Sequence, residues 1–325
     1  MPSRSLRLLC WPDYLAPAVL VRFEVETGMH VETVWYRTDH ECAARAATGE
    51  SFDVVVATDY VAEGLRHAGL LQPLDMERLP AFDGVTDDRL RKPPHDPESD
   101  GHKYTSVLYF GSEGFAVRLD QLKYCRSSWE TLFDGELAGR IAMLDGAREV
   151  LAPALYLLGL DPNCTDRDAL DRATGMLVDQ RRLVVAYDSD APWRHIVDGV
   201  AVVHCWDGDV ARAINGGVSQ VRYLLPREGF TLWADSPCIP GSASDADAAH
   251  RFIDYLLEPA VAAANADFSG YQPAVSAAEP LMKSLVQRSL RPRPEQIAKG
   301  TFLADLGDAD AAYETCYHKV RGSAG

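Results

Sequence analysis

Residues 6–69, LRLLCWPDYLAPAVLVRFEVETGMHVETVWYRTDHECAARAATGESFDVVVATDYVAEGLRHAG, carry the pattern that decides the fold. Leu6 to Cys10 is a short apolar run that reads as a strand, and Pro17 to Glu26 reads as a helix stopped at Gly28. Met29 to Tyr36 alternates as a strand does, and His40 to Thr48 is helical. Asp53-Val54-Val55-Val56 is a buried strand with a β-branched run, followed by a helix from Val61 to Ala68 that Gly69 ends. Strand–helix–strand–helix–strand in this order builds a parallel sheet whose crevice lies beyond the strand C-termini.

Downstream, Pro80 to Lys103 is rich in Pro, Asp and Gly and reads as a surface loop. Tyr104 to Val117 is strand-like and predicts a crossing into a second α/β series. That series holds strands at Ile141 to Leu144, Leu183 to Tyr187, Val200 to Val203 and Val221 to Leu225. Its helices span Glu149 to Leu158, Asp166 to Gln180 and Asp209 to Ile214. Phe230 to Ile239 predicts a second crossing, and helices follow at Ala246 to Leu257, Pro259 to Asn265, Pro280 to Gln287 and Ala309 to Val320. A chain of 325 residues can bury two cores. The expected lobes are 1–110 with 235–279, and 111–234 with 280–325.

Apolar residues make up 47% and charged residues 25%, ordinary for a globular protein, and no apolar run is long enough to span a membrane. Charge is the unusual property: 32 Lys and Arg against 48 Asp and Glu leave a formal net charge of −16. Such a chain repels phosphate backbones, so nucleic acid is excluded as a partner, and a cationic ligand is favoured. The seven cysteines are odd in number and show no CxxC spacing, so they form neither a disulfide framework nor a zinc pattern. His40-Glu41-Cys42 lacks partners at ligand spacing, and no metal or cofactor is expected. Met1 to Ser5 is polar and has no apolar signal-peptide core, so either a leader was removed or Met1 starts a cytoplasmic chain.

Aromatic residues follow the predicted strands: Trp11 and Tyr14 the first, Tyr60 the third, Trp206 the Val200 strand. Trp233 lies in the second crossing and Tyr271 in a Gly-Tyr-Gln-Pro loop. Carboxylates accompany them. Asp209 is three residues beyond Trp206, Asp235 two beyond Trp233, and Asp145 and Glu149 follow the Ile141 strand. Indole and phenol faces attract a cation and sandwich its methylenes, while acids grip its charged ends. Asp207 and Asp209 also stand where acids cap a helix, and each aromatic is equally suited to filling core. HExxH, GxSxG, Walker A and GxGxxG are all absent, so no catalytic residue is assigned.

The ordered set Trp11-Pro-Asp-Tyr14, Phe52 to Tyr60, Ala147-Arg-Glu-Val150, Trp206-Asp-Gly-Asp209, Pro226-Arg-Glu-Gly229, Trp233-Ala-Asp-Ser236, Tyr255 to Pro259 and Gly270-Tyr271 resembles the polyamine-binding proteins of bacterial ABC importers. That resemblance implies a periplasmic-binding-protein-like type II fold: two α/β lobes joined by crossing strands, closing over the ligand. It implies a monomer that delivers a polyamine to an ABC permease, without entering the membrane, and a periplasmic location if a leader was present. By resemblance Trp11, Tyr14, Thr58 and Tyr60 line the first lobe, Glu149, Trp206 and Asp209 the second, and Trp233, Asp235 and Tyr271 the hinge side. Asp235 would hold one amine of a putrescine-like diamine and Asp209 the other. Spermidine receptors carry an acid where this chain has Gly146, and a Gln in the stretch matching Phe302-Leu303; both departures favour a shorter ligand. Glu113 stands where the family has a small or hydroxyl residue and adds an acid if it faces the cleft.

Two other readings use the same scaffold. A cytoplasmic enzyme is motivated by the thiols, since Cys10 and Cys205 adjoin Trp11 and Trp206, with His40 or His204 as a base. An amine sensor would signal by the same closure.

Overall fold

The β-branched run after Asp53 forms a central strand because every residue of it is buried on both faces. In the computed structural model, which describes residues 5–48, 50–122, 124–284 and 286–322, this strand is β3 (Val54–Ala57). It lies parallel to β1 (Ser5–Cys10), which lies parallel to β2 (His30–Trp35). The connecting helices are Pro17–Thr27 and Asp39–Ala47. The first ends in a left-handed Gly28 (φ 69°), a conformation that glycine adopts without a Cβ penalty. Thr38 caps the second, accepting from the Glu41 N–H at 3.1 Å.

The chain forms two units: Met1–Phe110 with Trp233–Leu285, and Gly111–Leu232 with Val286–Gly325. It passes from one to the other inside β4 (Tyr109–Arg118) and β9 (Phe230–Cys238). In the first unit the far end of β9 runs antiparallel to β3, with Ser236 opposite Ala57 and Cys238 opposite Val55. The two-residue strand β10 (Gln272–Pro273) pairs with Tyr109 and Phe110. The core of this unit gathers Leu9, Tyr36, Phe52, Val55, Val61, Leu65 and Cys238.

In the second unit β5 (Ile141–Met143) is flanked by parallel neighbours, β6 (Val184–Tyr187) and β7 (Val202–Trp206). β4 pairs antiparallel with β7 and with β8 (Val221–Leu224), and β11 (Gly300–Phe302) lies parallel to the Phe230–Leu232 end of β9. Phe115, Val117, Trp129, Ile141, Tyr156 and Val202 fill one face of this sheet; Ala116, Ile196, Val203, Cys205 and Val210 fill the other. No helix among the described residues is long and apolar enough to cross a membrane.

Two expectations need correction. Pro80 to Lys103 is not simply a surface loop: it contains short helical turns, and Phe82, Leu90, His95, Asp96 and Lys103 are buried. Asp96 Oδ2 accepts from the N–H groups of Tyr104 and Thr105 and from the Thr105 hydroxyl, which ties the segment down. Pro280 to Gln287 is not one helix. A 3₁₀ segment Ser276–Leu281 and a short helix Val286–Leu290 stand there, with residue 285 outside the described residues.

Candidate functional site

Parallel pairing of β1 and β3 puts their C-terminal ends on the same edge of the first unit's sheet, so the residues that follow each strand emerge together. Trp11 and Tyr14 come after β1; Thr58, Asp59 and Tyr60 come after β3. The antiparallel β9 delivers Asp235 to the same edge, one residue before Ser236 meets Ala57. The Tyr14 hydroxyl donates to Asp235 Oδ2, and Thr58 also hydrogen-bonds this carboxyl. The Tyr14 ring lies 4.8 Å from Tyr109 and 5.7 Å from Tyr271, and Tyr271 lies 5.0 Å from Trp233 in an edge-on contact. Gly270, left-handed at φ 87°, ends the Pro259–Ser269 helix and turns Tyr271 into this group. Trp11 packs 4.4 Å from Tyr36.

Asp235 is 7% exposed, and among the described residues no basic side chain neutralises it. Burial pushes its carboxyl up to about 7; Tyr14 pulls it down, Asp39 pushes it further up, and Thr58 pulls it down. Asp59 is buried beside it and pushed well above the usual carboxylate range, chiefly by burial and further by Asp235 and Asp39. One Asp59 oxygen accepts from the Tyr60 N–H at 2.8 Å, and the other has no hydrogen-bond partner among the described residues. The Tyr60 hydroxyl donates to Asp39 Oδ2 at 2.7 Å. The Trp233 Nε1–H is also buried without a partner among the described residues. This is a carboxylate centre walled by aromatic rings and lacking its own cation, an arrangement suited to a cation brought from solution.

Asp39, Asp59, Tyr36 and Tyr109 belong to this group, and sequence reasoning missed them. Asp39 opens the helix after β2, and Asp59 directly follows Thr58. The strand-end rule that selected Tyr60 selects both once it is applied to every strand of the sheet.

The second unit's residues are placed differently. Trp206 ends β7, and Asp209, in the first turn of the following helix Asp207–Asn215, accepts from the Trp206 N–H at 3.2 Å. The capping role open to Asp209 is therefore filled. Asp209 is 3% exposed and burial pushes its carboxyl up to about 7, with the Trp206 amide and Arg212 pulling it down. Asp207 bonds the Gly208 N–H at 2.9 Å, and burial pushes it up to about 8. Glu149 is half-buried in the first turn of the helix Ala147–Leu157. Glu113 does not stand as an open acid. It is 1% exposed, and its Oε1 lies 2.7 Å from His204 Nε2, itself fully buried. Glu113 sits opposite Trp206 and Phe115 opposite His204 across β4 and β7, so Glu113 and His204 share one sheet face two positions apart. The pair satisfies Glu113 inside the second unit's core.

The two thiols beside Trp11 and Trp206 are not set up as nucleophiles. Cys10 and Cys205 are fully buried, and burial pushes both thiols upward, away from the thiolate that chemistry needs. His204, offered above as a base, is held by Glu113.

A spermidine/putrescine-binding periplasmic protein of Salmonella typhimurium is 31% identical over 317 residues, covering 96% of this chain and 90% of its own. A putrescine/agmatine-binding protein of Pseudomonas aeruginosa is 31% identical over 93% of this chain and 86% of its own. A solved Listeria monocytogenes protein described as belonging to a spermidine/putrescine ABC transporter superposes with a TM-score of 0.92 at 27% identity, covering 98% of this chain and 99% of its own. The model of the bacterial extracellular solute-binding proteins matches residues 18–289. With the strand-end aromatic and carboxylate group on one α/β unit, and with these matches over nearly its whole length, the chain belongs to the bacterial extracellular solute-binding protein family.

Proposed function

We propose that this chain captures a small polyamine, with a putrescine-like diamine preferred over spermidine, and hands it to an ABC-type importer after closure of its two units. The observation that carries this reading is Asp235: a buried carboxylate with no basic partner among the described residues, gripped by Tyr14 and Thr58 and set among tyrosine and tryptophan rings. An alkylammonium supplies the missing charge, and its methylenes lie on the rings. Glu149, Trp206 and Asp209 take the other end of the diamine. The names of the relatives point to the same ligand class. Location outside the cytoplasmic membrane follows the same relatives and belongs to this proposal.

Titration calorimetry with putrescine, cadaverine, agmatine and spermidine tests it. Micromolar or tighter binding of a diamine is expected, with spermidine weaker. Heat-silent titrations with all four would remove the polyamine reading.

Binding should also depend on pH in a defined direction. Below about 7 Asp235 holds a proton that must leave before a cation docks, so affinity falls about tenfold per pH unit. Putrescine is expected to bind on the order of 100-fold more weakly at pH 5 than at pH 8, releasing about one proton at the acid end. The ligand-free chain behaves oppositely. Between the ordinary carboxyl range and about 7 the folded state keeps a proton that the unfolded state has lost, so this group's contribution to stability declines as pH rises through that window. Asp207 and Asp209 act in the same sense. A Kd that stays flat from pH 5 to 8 would show that Asp235 does not face the ligand.

A further inference from the structure

Asp145 stands just beyond the end of β5, and Tyr187 ends β6 opposite Met143, so parallel pairing brings both to the strand-end edge of the second unit's sheet. The Asp145 N–H donates to Ser189 Oγ at 2.7 Å, which fixes the acid's backbone. The C-terminal helix Asp310–Arg321 buries Tyr313, Cys316 and Val320 against the helices Ala147–Leu157 and Arg167–Gln180. Tyr317 and Arg321, four positions apart, share the flank that meets Asp145. The Tyr317 hydroxyl donates to Asp145 Oδ1 at 2.5 Å. Arg321 Nη1 donates to the same oxygen, and to the Tyr317 hydroxyl at 3.0 Å. The guanidinium carbon lies 4.5 Å from the centre of the Tyr187 ring and 5.8 Å from that of Tyr317.

The second unit thus repeats the first unit's design with one difference. Asp235 accepts from the Tyr14 hydroxyl and has no basic partner among the described residues, whereas Asp145 accepts from the Tyr317 hydroxyl and already holds a cation. We propose that Asp145, Tyr187 and Tyr317 form a guanidinium site that the chain fills with its own Arg321, an autoinhibitory contact in which the tip of the C-terminal helix competes with free alkylguanidinium cations. This site lies in the second unit alone and needs no polyamine to exist. A planar cation with paired N–H donors can grip the carboxylate and lie on the Tyr187 face together, which a compact ammonium does less well. The Tyr187 hydroxyl is buried with no partner among the described residues, so Arg321 leaves one polar group of the site unused. Arg321 and Asp145 are each 31% exposed, which opens the pair to exchange with a cation from solution. Arg321 is also the last residue of its helix, before a left-handed Gly322 (φ 73°), so the tip can lift while Tyr313, Cys316 and Val320 stay packed.

The test titrates methylguanidinium into the full chain and follows the ring resonances of Tyr187 by NMR. This reporter lies at the site itself, so binding at Asp235 does not mimic the signal. In Arg321→Ala a Kd on the order of 1 mM is expected. In the unmodified chain the tethered guanidinium competes at high effective concentration, and the apparent Kd is expected to be at least about tenfold weaker. Adding Asp145→Asn to Arg321→Ala is expected to weaken binding about tenfold or more, and methylammonium is expected to bind Arg321→Ala several-fold more weakly than methylguanidinium. Arg321→Gln, which keeps a polar stem and loses the charge, is titrated alongside, so a folding defect in one variant does not block the measurement. Tyr187 resonances that stay still in both Arg321 variants overturn the site. An equal Kd in the unmodified chain overturns the competition, and an equal Kd with Asp145→Asn overturns the assignment of the acid.

Discussion

Asp235→Asn is expected to weaken putrescine binding about a thousandfold while leaving the fold intact. The substitution keeps size and shape, and it keeps an oxygen that Tyr14 and Thr58 can donate to. What it removes is the one charge that the first unit's aromatic group encloses most directly. Removing one partner of a buried, hydrogen-bonded ion pair costs roughly 3–5 kcal/mol, the lost hydrogen bond included. A loss of about 4 kcal/mol corresponds to the thousandfold. Stability should move the other way. At pH 8 Asp235 is ionised against the preference imposed by burial, so the neutral Asn is expected to raise the melting temperature of the ligand-free chain at pH 8 and to have little effect at pH 5. Calorimetry and thermal unfolding on the same samples separate the two effects. A variant that binds putrescine as well as the parent would remove Asp235 from the site, and one that loses binding together with its melting transition would point to damage to the fold.

Much of this architecture is legible along the chain because it depends on local pattern. The Val54–Val56 run can only be a central strand, and Gly28 stops its helix where a positive φ is required. Parallel neighbours then bring strand ends to one edge, which is why Trp11, Tyr14 and Tyr60 could be grouped without coordinates, whereas Thr58 came from the family likeness. The unread parts depend on distant pairings. Tyr14 and Asp235 are 221 positions apart, and their placement came from a family likeness, not from any spacing rule. Asp39 lies 21 positions from Tyr60, and nothing in Thr38-Asp39-His40 distinguishes an acid facing that hydroxyl from one that serves the start of a helix. Glu113 was visible as an unusual acid in a strand, but its partner lies 91 positions away. Only the antiparallel register of β4 and β7 sets His204 beside it. Asp209 carried both a capping and a binding reading, and the contact to the Trp206 N–H realises the first.

That Glu113–His204 pair gives the largest stability effect expected of a single substitution. Both side chains are sealed in the second unit: His204 is 0% exposed, Glu113 is 1% exposed, and the fully buried Trp129 ring packs edge-on 5.4 Å from His204. The other ring nitrogen of His204 has no partner among the described residues, so Glu113 is the group that satisfies this imidazole. Glu113→Leu therefore strands a polar ring in an apolar core, at a cost of about 3–5 kcal/mol. His204→Phe alone leaves the carboxylate stranded, with a similar cost. Together the two changes leave no buried polar group unpaired and replace the pair with apolar surface of comparable volume, an exchange that is often neutral or better. The double variant is expected to recover most of the loss. Chemical denaturation followed through tryptophan fluorescence measures all four corners of the cycle. If Glu113 serves a ligand, as an acid facing the cleft would, the double variant would regain stability and still lose putrescine affinity. With the pair purely structural, it should bind putrescine within about twofold of the parent.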